Sequence, residues 1–206
     1  MLHDATITGN ALDLLKQVQG NPHFRDTRLV GGTALALQIG HRRSDDLDCF
    51  GRVELEPAEV TQELKTYGPV SVRGSNRRMQ RYVVRGVQLD VVDYDYPWLD
   101  APVHSDGIRL ASCRDIAAMK LAAITNRGGR KDFVDVFFLL QTFSLADMLA
   151  FYARKFSEGS AFAVLKSLVF FDDAEDEPMP AMLTPFDWAV ARQSITDAVA
   201  AFSVGR

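Results

Sequence analysis

The 206-residue chain is 47% hydrophobic with a formal charge of −4, enough apolar content for one compact domain with a modest appendage. The acidic balance excludes a protein coated in basic surface but not a local patch: Arg73, Arg77, Arg78, Arg81 and Arg85 crowd one stretch, and Asp172, Asp173, Glu175, Asp176 and Glu177 another. Two cysteines, Cys49 and Cys113, exclude a disulfide framework and a zinc cluster; with no signal-peptide pattern and no apolar run of membrane-spanning length, the expectation is a cytoplasmic protein that avoids the membrane.

In chain order, Leu12, Leu14, Leu15 and Val18 give residues 9–19 the apolar side of a helix, which Asn21-Pro22 ends. Arg28-Leu29-Val30 reads as a short strand running into Gly31-Gly32, Thr33 to Ile39 as a helix, and Leu47 to Phe50 as the next strand. Pro57 starts a helix that Gly68-Pro69 closes. Residues 70–93 read as a meander of strands, with Arg85-Gly86 the turn between the last two, and a further strand is expected near Ile108-Arg109-Leu110. Ser112 and Asp115 fit a capping box for a helix over 115–126, stopped by Asn126-Arg127-Gly128-Gly129. Helices follow from Lys131 to Phe143 and over 145–156, 159–170 and 184–203, with the acidic, proline-flanked stretch 172–180 read as a linker and its charges as solvated. Strands first and helices after imply an α/β (α+β) fold: a sheet domain over 1–111 and a helical C-terminal region over 112–206, packed on the core as one unit.

Chemistry concentrates in the segment from Gly31 to Phe50. A glycine turn followed by the Thr33 hydroxyl leads through a helix and a basic loop to Asp46 and Asp48. Residues two apart on a strand face one way, roughly 7 Å apart along the backbone. Paired carboxylates are costly unless solvated or bound to a cation, and beside a turn with available N–H groups they suit a Mg-bound triphosphate. A solvated edge strand explains a lone pair of this kind but not the glycine turn before it. Asp90 sits mid-strand between Leu89 and Val91 and becomes a third candidate ligand; Asp93 and Asp95 rank behind it because the strand ends there.

Lys120 is the only charge between Ile116 and Ile124: either a snorkelling lysine or an ammonium aimed at a triphosphate or a carboxylate cluster. Arg127, Arg130 and Lys131 surround a glycine turn and suit phosphate contact. Asp132 and Asp135 fall in a first helical turn, where the macrodipole alone accounts for acids, although Asp132 is also a site candidate. Cys49 reads as a buried strand residue, His41 as an exposed loop residue, and the arginines of 73–85 with Tyr82 as a nucleic-acid groove.

The stretch G-G-T-A-L-A-L-Q-I-G-H-R-R-S-D-D-L-D-C-F, Gly31 to Phe50, resembles the AbiEii/AbiGii toxin-type nucleotidyltransferases, a branch of the polymerase-beta-like superfamily. The later segment I-A-A-M-K-L-A-A-I-T-N-R-G-G-R-K-D-F-V-D-V-F-F-L-L resembles that family's helical motif, so the likeness spans residues 27–141. It implies a small mixed sheet flanked by helices, with a helical C-terminal part. It implies transfer of a nucleoside monophosphate from an NTP to an acceptor hydroxyl with two Mg ions, in a toxin of a type IV-like toxin–antitoxin or abortive-infection system with a cognate antitoxin. Asp46, Asp48 and Asp90 would be the metal ligands and Lys120 a further catalytic group. Gly31, Gly32, Thr33 and Ser44 would lie at the phosphates, with Arg42 and Arg43 offsetting charge, and Lys120 and Asp132 would occupy the branch's own motifs. The favoured acceptor is the 3′ end of tRNA; a protein, an aminoglycoside-like small molecule, or a non-catalytic nucleotide- or RNA-binding module stay open.

Overall fold

The structure is a computed structural model and describes residues 2–204. The chain divides into two compact units: residues up to Tyr96 together with Ala101–Ala111, and Pro97–Asp100 together with everything from Ser112 onward.

In the first unit, helix α1 (Gly9–Gly20) is capped by the Thr8 hydroxyl and buries Ala11, Leu14, Leu15 and Val18. Strand β1 (Thr27–Leu29) leads into helix α2 (Gly31–Ile39), which ends at Gly40 in the left-handed conformation. Strand β2 (Leu47–Gly51), helix α3 (Pro57–Lys65), and strands β3 (Val70–Ser75), β4 (Met79–Val84) and β5 (Val87–Asp93) follow. Arg85 and Gly86 both have positive φ in the β4–β5 turn, the backbone that a tight right-twisted hairpin requires. Strands β6 (Val103–Ser105) and β7 (Ile108–Leu110) complete a mixed seven-stranded sheet in the order β3-β4-β5-β2-β1-β7-β6. Three differences from the sequence reading matter. The glycine pair is the first turn of α2 rather than a turn before it, Asp46 lies one residue ahead of β2, and β6 was not foreseen because its three residues carry no apolar alternation.

Strands β2 and β5 run parallel and place Leu47, Asp48 and Cys49 opposite Leu89, Asp90 and Val91. Burial alternates along both. Leu47, Cys49, Leu89 and Val91 are inside, while Asp48, Phe50, Asp90 and Val92 share a more open face. Helix α3 lies on the buried face, where its Thr61 hydroxyl is 3.2 Å from that of Tyr82.

The second unit is helical: α4 (Cys113–Asn126), α5 (Arg130–Leu139), α6 (Leu145–Lys155), α7 (Ala161–Leu168), α8 (Asp172–Glu175) and α9 (Trp188–Val204). Ser112 Oγ accepts the Asp115 N–H, one half of a capping box. The Asp115 carboxylate turns instead to the Leu99 and Asp100 N–H groups and to Lys155 Nζ at 2.8 Å, an ion pair with both side chains fully buried. This pairing draws Pro97–Asp100 into the helical unit, and the Lys155 ammonium also sits 4.4 Å from the Trp98 ring centroid. The acidic stretch is structural rather than merely solvated. Glu177 accepts the Arg130 N–H at the start of α5, and Glu175 pairs with Arg192 at 2.7 Å. Among the described residues no helix is long and apolar enough to cross a membrane.

Candidate active site

The first unit gathers its chemistry where the start of α2 meets β2 and β5. Val30, at the N-cap, offers no side-chain cap to the first-turn N–H groups of Gly31, Gly32 and Thr33. The second carboxylate of the pair sits against this helix end: a Cβ built on Gly31 would collide with Asp48 Oδ2, and Gly31 has φ +69°. Only glycine meets both conditions.

The Thr33 hydroxyl lies 2.8 Å from Ser44 Oγ and 2.5 Å from the Asp46 carbonyl oxygen. With one proton to give, it donates to the carbonyl and accepts from Ser44. It therefore ties α2 to the loop before β2 and fixes where Asp46 leaves the backbone. Asp46 accepts a hydrogen bond from Gln88 Nε2 at 2.9 Å, which places it on the Asp48/Asp90 face. Arg81 faces Asp90 across the β4–β5 ladder, with its Nε 3.6 Å from Asp90 Oδ2. Burial pushes the Asp90 carboxyl above its ordinary value; Arg81 opposes this and the Asp46 charge adds to it.

The register thus brings Asp46, Asp48 and Asp90 onto one face, although 42 residues separate Asp48 from its partner. Among the described residues no three His, Cys, Asp or Glu side chains converge into a metal-holding group. Asp46 and Asp90 are instead held by an amide and a guanidinium, the partners that like-charged carboxylates recruit. The donor set, hard oxygens beside a helix N-terminus, is of the type that suits Mg.

The other expected residues fall differently. Arg42 is buried and donates to the Arg43 carbonyl, while Arg43 is exposed. His41 is buried, against expectation. The Cys49 thiol faces the core, and burial, reinforced by Asp48, pushes it up to about 12, so it is no nucleophile. Tyr82 is also buried, bonded through its hydroxyl to Gln80 Oε1 at 2.7 Å, and cannot line a nucleic-acid groove.

Lys120 and Asp132 stand together in the helical unit. The Lys120 ammonium is 2.9 Å from Asp132 and 2.6 Å from Asp135, all three side chains buried, and Arg127 closes on Asp132 at 2.7 Å. Burial alone would raise the Asp132 carboxyl; Lys120 and Arg127 outweigh it and hold the group below its ordinary value. Arg130 bonds the Ala174 and Glu175 carbonyls and packs on Trp188. Sequence reasoning did not pair Gln88 with Asp46, Arg81 with Asp90 or Lys155 with Asp115. Only the Gln88-x-Asp90 spacing carried a signal, since it puts an amide on the face of the third acid.

Comparison with known proteins shows the family and the fold. Residues 13–201 match the nucleotidyl transferase AbiEii toxin family, type IV toxin–antitoxin system. An uncharacterized protein of Aquifex aeolicus (strain VF5) is 32% identical over 158 residues, 74% of this chain and 77% of that protein. MenT4, a nucleotidyltransferase toxin from Mycobacterium tuberculosis H37Rv, shares the fold at TM-score 0.62 and 15% identity, over 94% of this chain and 82% of that one. The antibiotic-resistance factor ANT(2'')-Ia does so at TM-score 0.57 and 15% identity, over 75% and 94%.

Proposed function

The chain belongs to the AbiEii family of nucleotidyltransferase toxins, and from that premise we propose that it transfers a nucleoside monophosphate from an NTP to the 3′ hydroxyl of an RNA, tRNA by preference, in the cytoplasm. The acceptor O–H attacks the α-phosphorus, a new P–O bond forms, the bond to the β-phosphate oxygen breaks, and pyrophosphate leaves. The observation that carries the reading is the in-register pairing of Asp48 and Asp90, with Asp48 against the N-terminal end of α2.

The first-turn N–H groups of Gly31, Gly32 and Thr33 receive the triphosphate, where the helix end favours negative charge. Ser44, set by Thr33, lies at the edge of that cradle, and the exposed Arg43 offsets charge from the loop, while the buried Arg42 braces it. Burial raises the proton affinity of the Asp90 carboxylate, which suits it to take the acceptor proton. Asp46, Asp48 and Asp90 would hold Mg, which when bound neutralises the phosphates and lowers the acceptor hydroxyl's affinity for its proton. Lys120 and Asp132 act through the ion network that fixes α4 against α5. The type IV assignment supports a cognate antitoxin that opposes the activity rather than necessarily binding the toxin.

The test is label transfer from each of the four α-labelled NTPs, with Mg, to total RNA and total protein, beside Asp46→Ala/Asp48→Ala. Label on RNA that disappears in the variant is the expected result. Label on protein would redirect the acceptor to a polypeptide, and label on neither to a small molecule. Absence of NTP binding would overturn the catalytic reading.

A further inference from the structure

An aromatic row extends from the carboxylates on the same face of the sheet. Phe50 lies two residues beyond Asp48 on β2, so it shares that face. Its ring centroid is 5.4 Å from that of Tyr94, which is 5.4 Å from that of Tyr96, with interplanar angles of 47° and 51°. The row runs outward from a half-buried Phe50 to Tyr96, which is 52% exposed. At that exposure about half of the Tyr96 surface is open to solvent, and an aromatic side chain of this size brings a large contact area to a stacking partner.

The same segment is tied to the basic turn between β3 and β4. The Asp93 N–H donates to the Arg78 carbonyl at 2.8 Å, and the Arg78 guanidinium is 3.2 Å from the Asp95 carboxylate, with both side chains well exposed. Such a surface pair is weak and readily exchanges its carboxylate for another anion. Arg81, 58% exposed, lies between this turn and Asp90. One edge of the face therefore offers aromatic rings beside guanidinium groups, the combination that grips single-stranded nucleic acid without reading its sequence.

We infer that Phe50, Tyr94 and Tyr96 form the stacking platform for the last bases of a single-stranded RNA acceptor, with Arg78 and Arg81 on its phosphates. This rests on the RNA-acceptor reading above and adds where that acceptor lies. The terminal hydroxyl reaches Asp90 and the preceding bases lead away along the row. Every base has a π-face, so the platform holds many sequences and leaves selection to the acceptor's shape.

The experiment uses the full chain and a fluorescein-labelled single-stranded RNA of about 12 nucleotides with a 3′ hydroxyl, followed by anisotropy without NTP. Tyr96→Ala is expected to weaken binding about tenfold, the scale of one lost stacked base, while Tyr96→Phe keeps it. Arg78→Gln is expected to lower the salt dependence by about one unit of log–log slope. In the label-transfer assay the KM for RNA rises in Tyr96→Ala and the KM for NTP stays. RNA affinity unchanged in Tyr96→Ala would overturn the platform alone. A raised KM for NTP with unchanged RNA affinity would overturn it too, by assigning the row to the nucleotide base. A wild-type chain that binds no RNA would overturn the acceptor reading and the platform with it.

Discussion

At the residue scale, the face of Asp46, Asp48 and Asp90 is held by compensation rather than by neutrality. Asp90 has a folded pKa above its unfolded value, so the folded state binds more protons once pH exceeds the ordinary value of 3.8, and stability falls as pH rises through that window. Asp90→Asn is therefore expected to melt higher than wild type at pH 7 without Mg, to lose the difference below about pH 4, and to abolish transfer. Equal melting temperatures across that pH range would count against the burial argument. Gly31 is the opposite case, since no side chain is tolerated there. Gly31→Ala forces a Cβ into Asp48 Oδ2 and an alanine to φ +69°, a backbone cost of about 1 kcal/mol before the clash is relieved. Because relief comes by moving Asp48 off the helix end, transfer activity should fall much further than melting temperature, measured side by side. The importance of Gly31 is visible in the sequence as a glycine before a helix. The identity of the atom it admits is not, because Asp48 arrives from the far end of α2.

At the scale of elements, the helical unit is pinned by two buried lysines. Lys120 joins α4 to α5 through Asp132 and Asp135, and Lys155 joins α6 to α4 and to Pro97–Asp100 through Asp115. Removing one member of a buried pair leaves its partner charged and desolvated. Lys120→Met is expected to cost about 3–5 kcal/mol, a melting-temperature loss of roughly 10 °C by calorimetry, whereas Arg127→Ala, whose side chain is largely exposed, should cost far less. A stable Lys120→Met chain that has lost only activity would return Lys120 to the nucleotide. Asp132 has a folded pKa below its unfolded value, so its contribution is present above the ordinary carboxylate pKa and is lost as pH falls through the folded one. The network should make the helical unit acid-labile, read as a downward drift of melting temperature below pH 4 that Asp132→Asn flattens. Sequence periodicity located α4 and α5 well and marked Lys120 as the lone charge of its stripe. It left two destinations for that ammonium, phosphate or carboxylate, because an i-to-i+12 contact across a helical turn has no local signature.

For the molecule as a whole, a net charge of −4 sets the field that the proposed RNA acceptor has to meet. Binding has to come from a local strip, here Arg73, Arg77, Arg78 and Arg81, against an unfavourable overall field. RNA affinity should therefore fall with salt at a log–log slope of about −2 to −4, measured by anisotropy at several ionic strengths; a slope near zero would remove these arginines from the interface. The sequence by itself determined the order of elements, the strand-rich first half and helical second half, the Gly31–Asp48 segment and the family it resembles. Those depend on periodicity, turn chemistry and short spacing, all carried by neighbouring residues. Tertiary structure alone decided that Asp48 stands beside Asp90, that Gln88 and Arg81 balance the acids, that Thr33 braces a loop, that Tyr82 is buried, and that Phe50, Tyr94 and Tyr96 form a row of rings that reaches the surface at Tyr96. Register between β2 and β5 is chosen by burying Leu47, Cys49, Leu89 and Val91 together, and that choice carries every alternate side chain to the open face. The hydrophobic side of the strands thus places the polar side, and only the folded sheet reveals which residues it pairs.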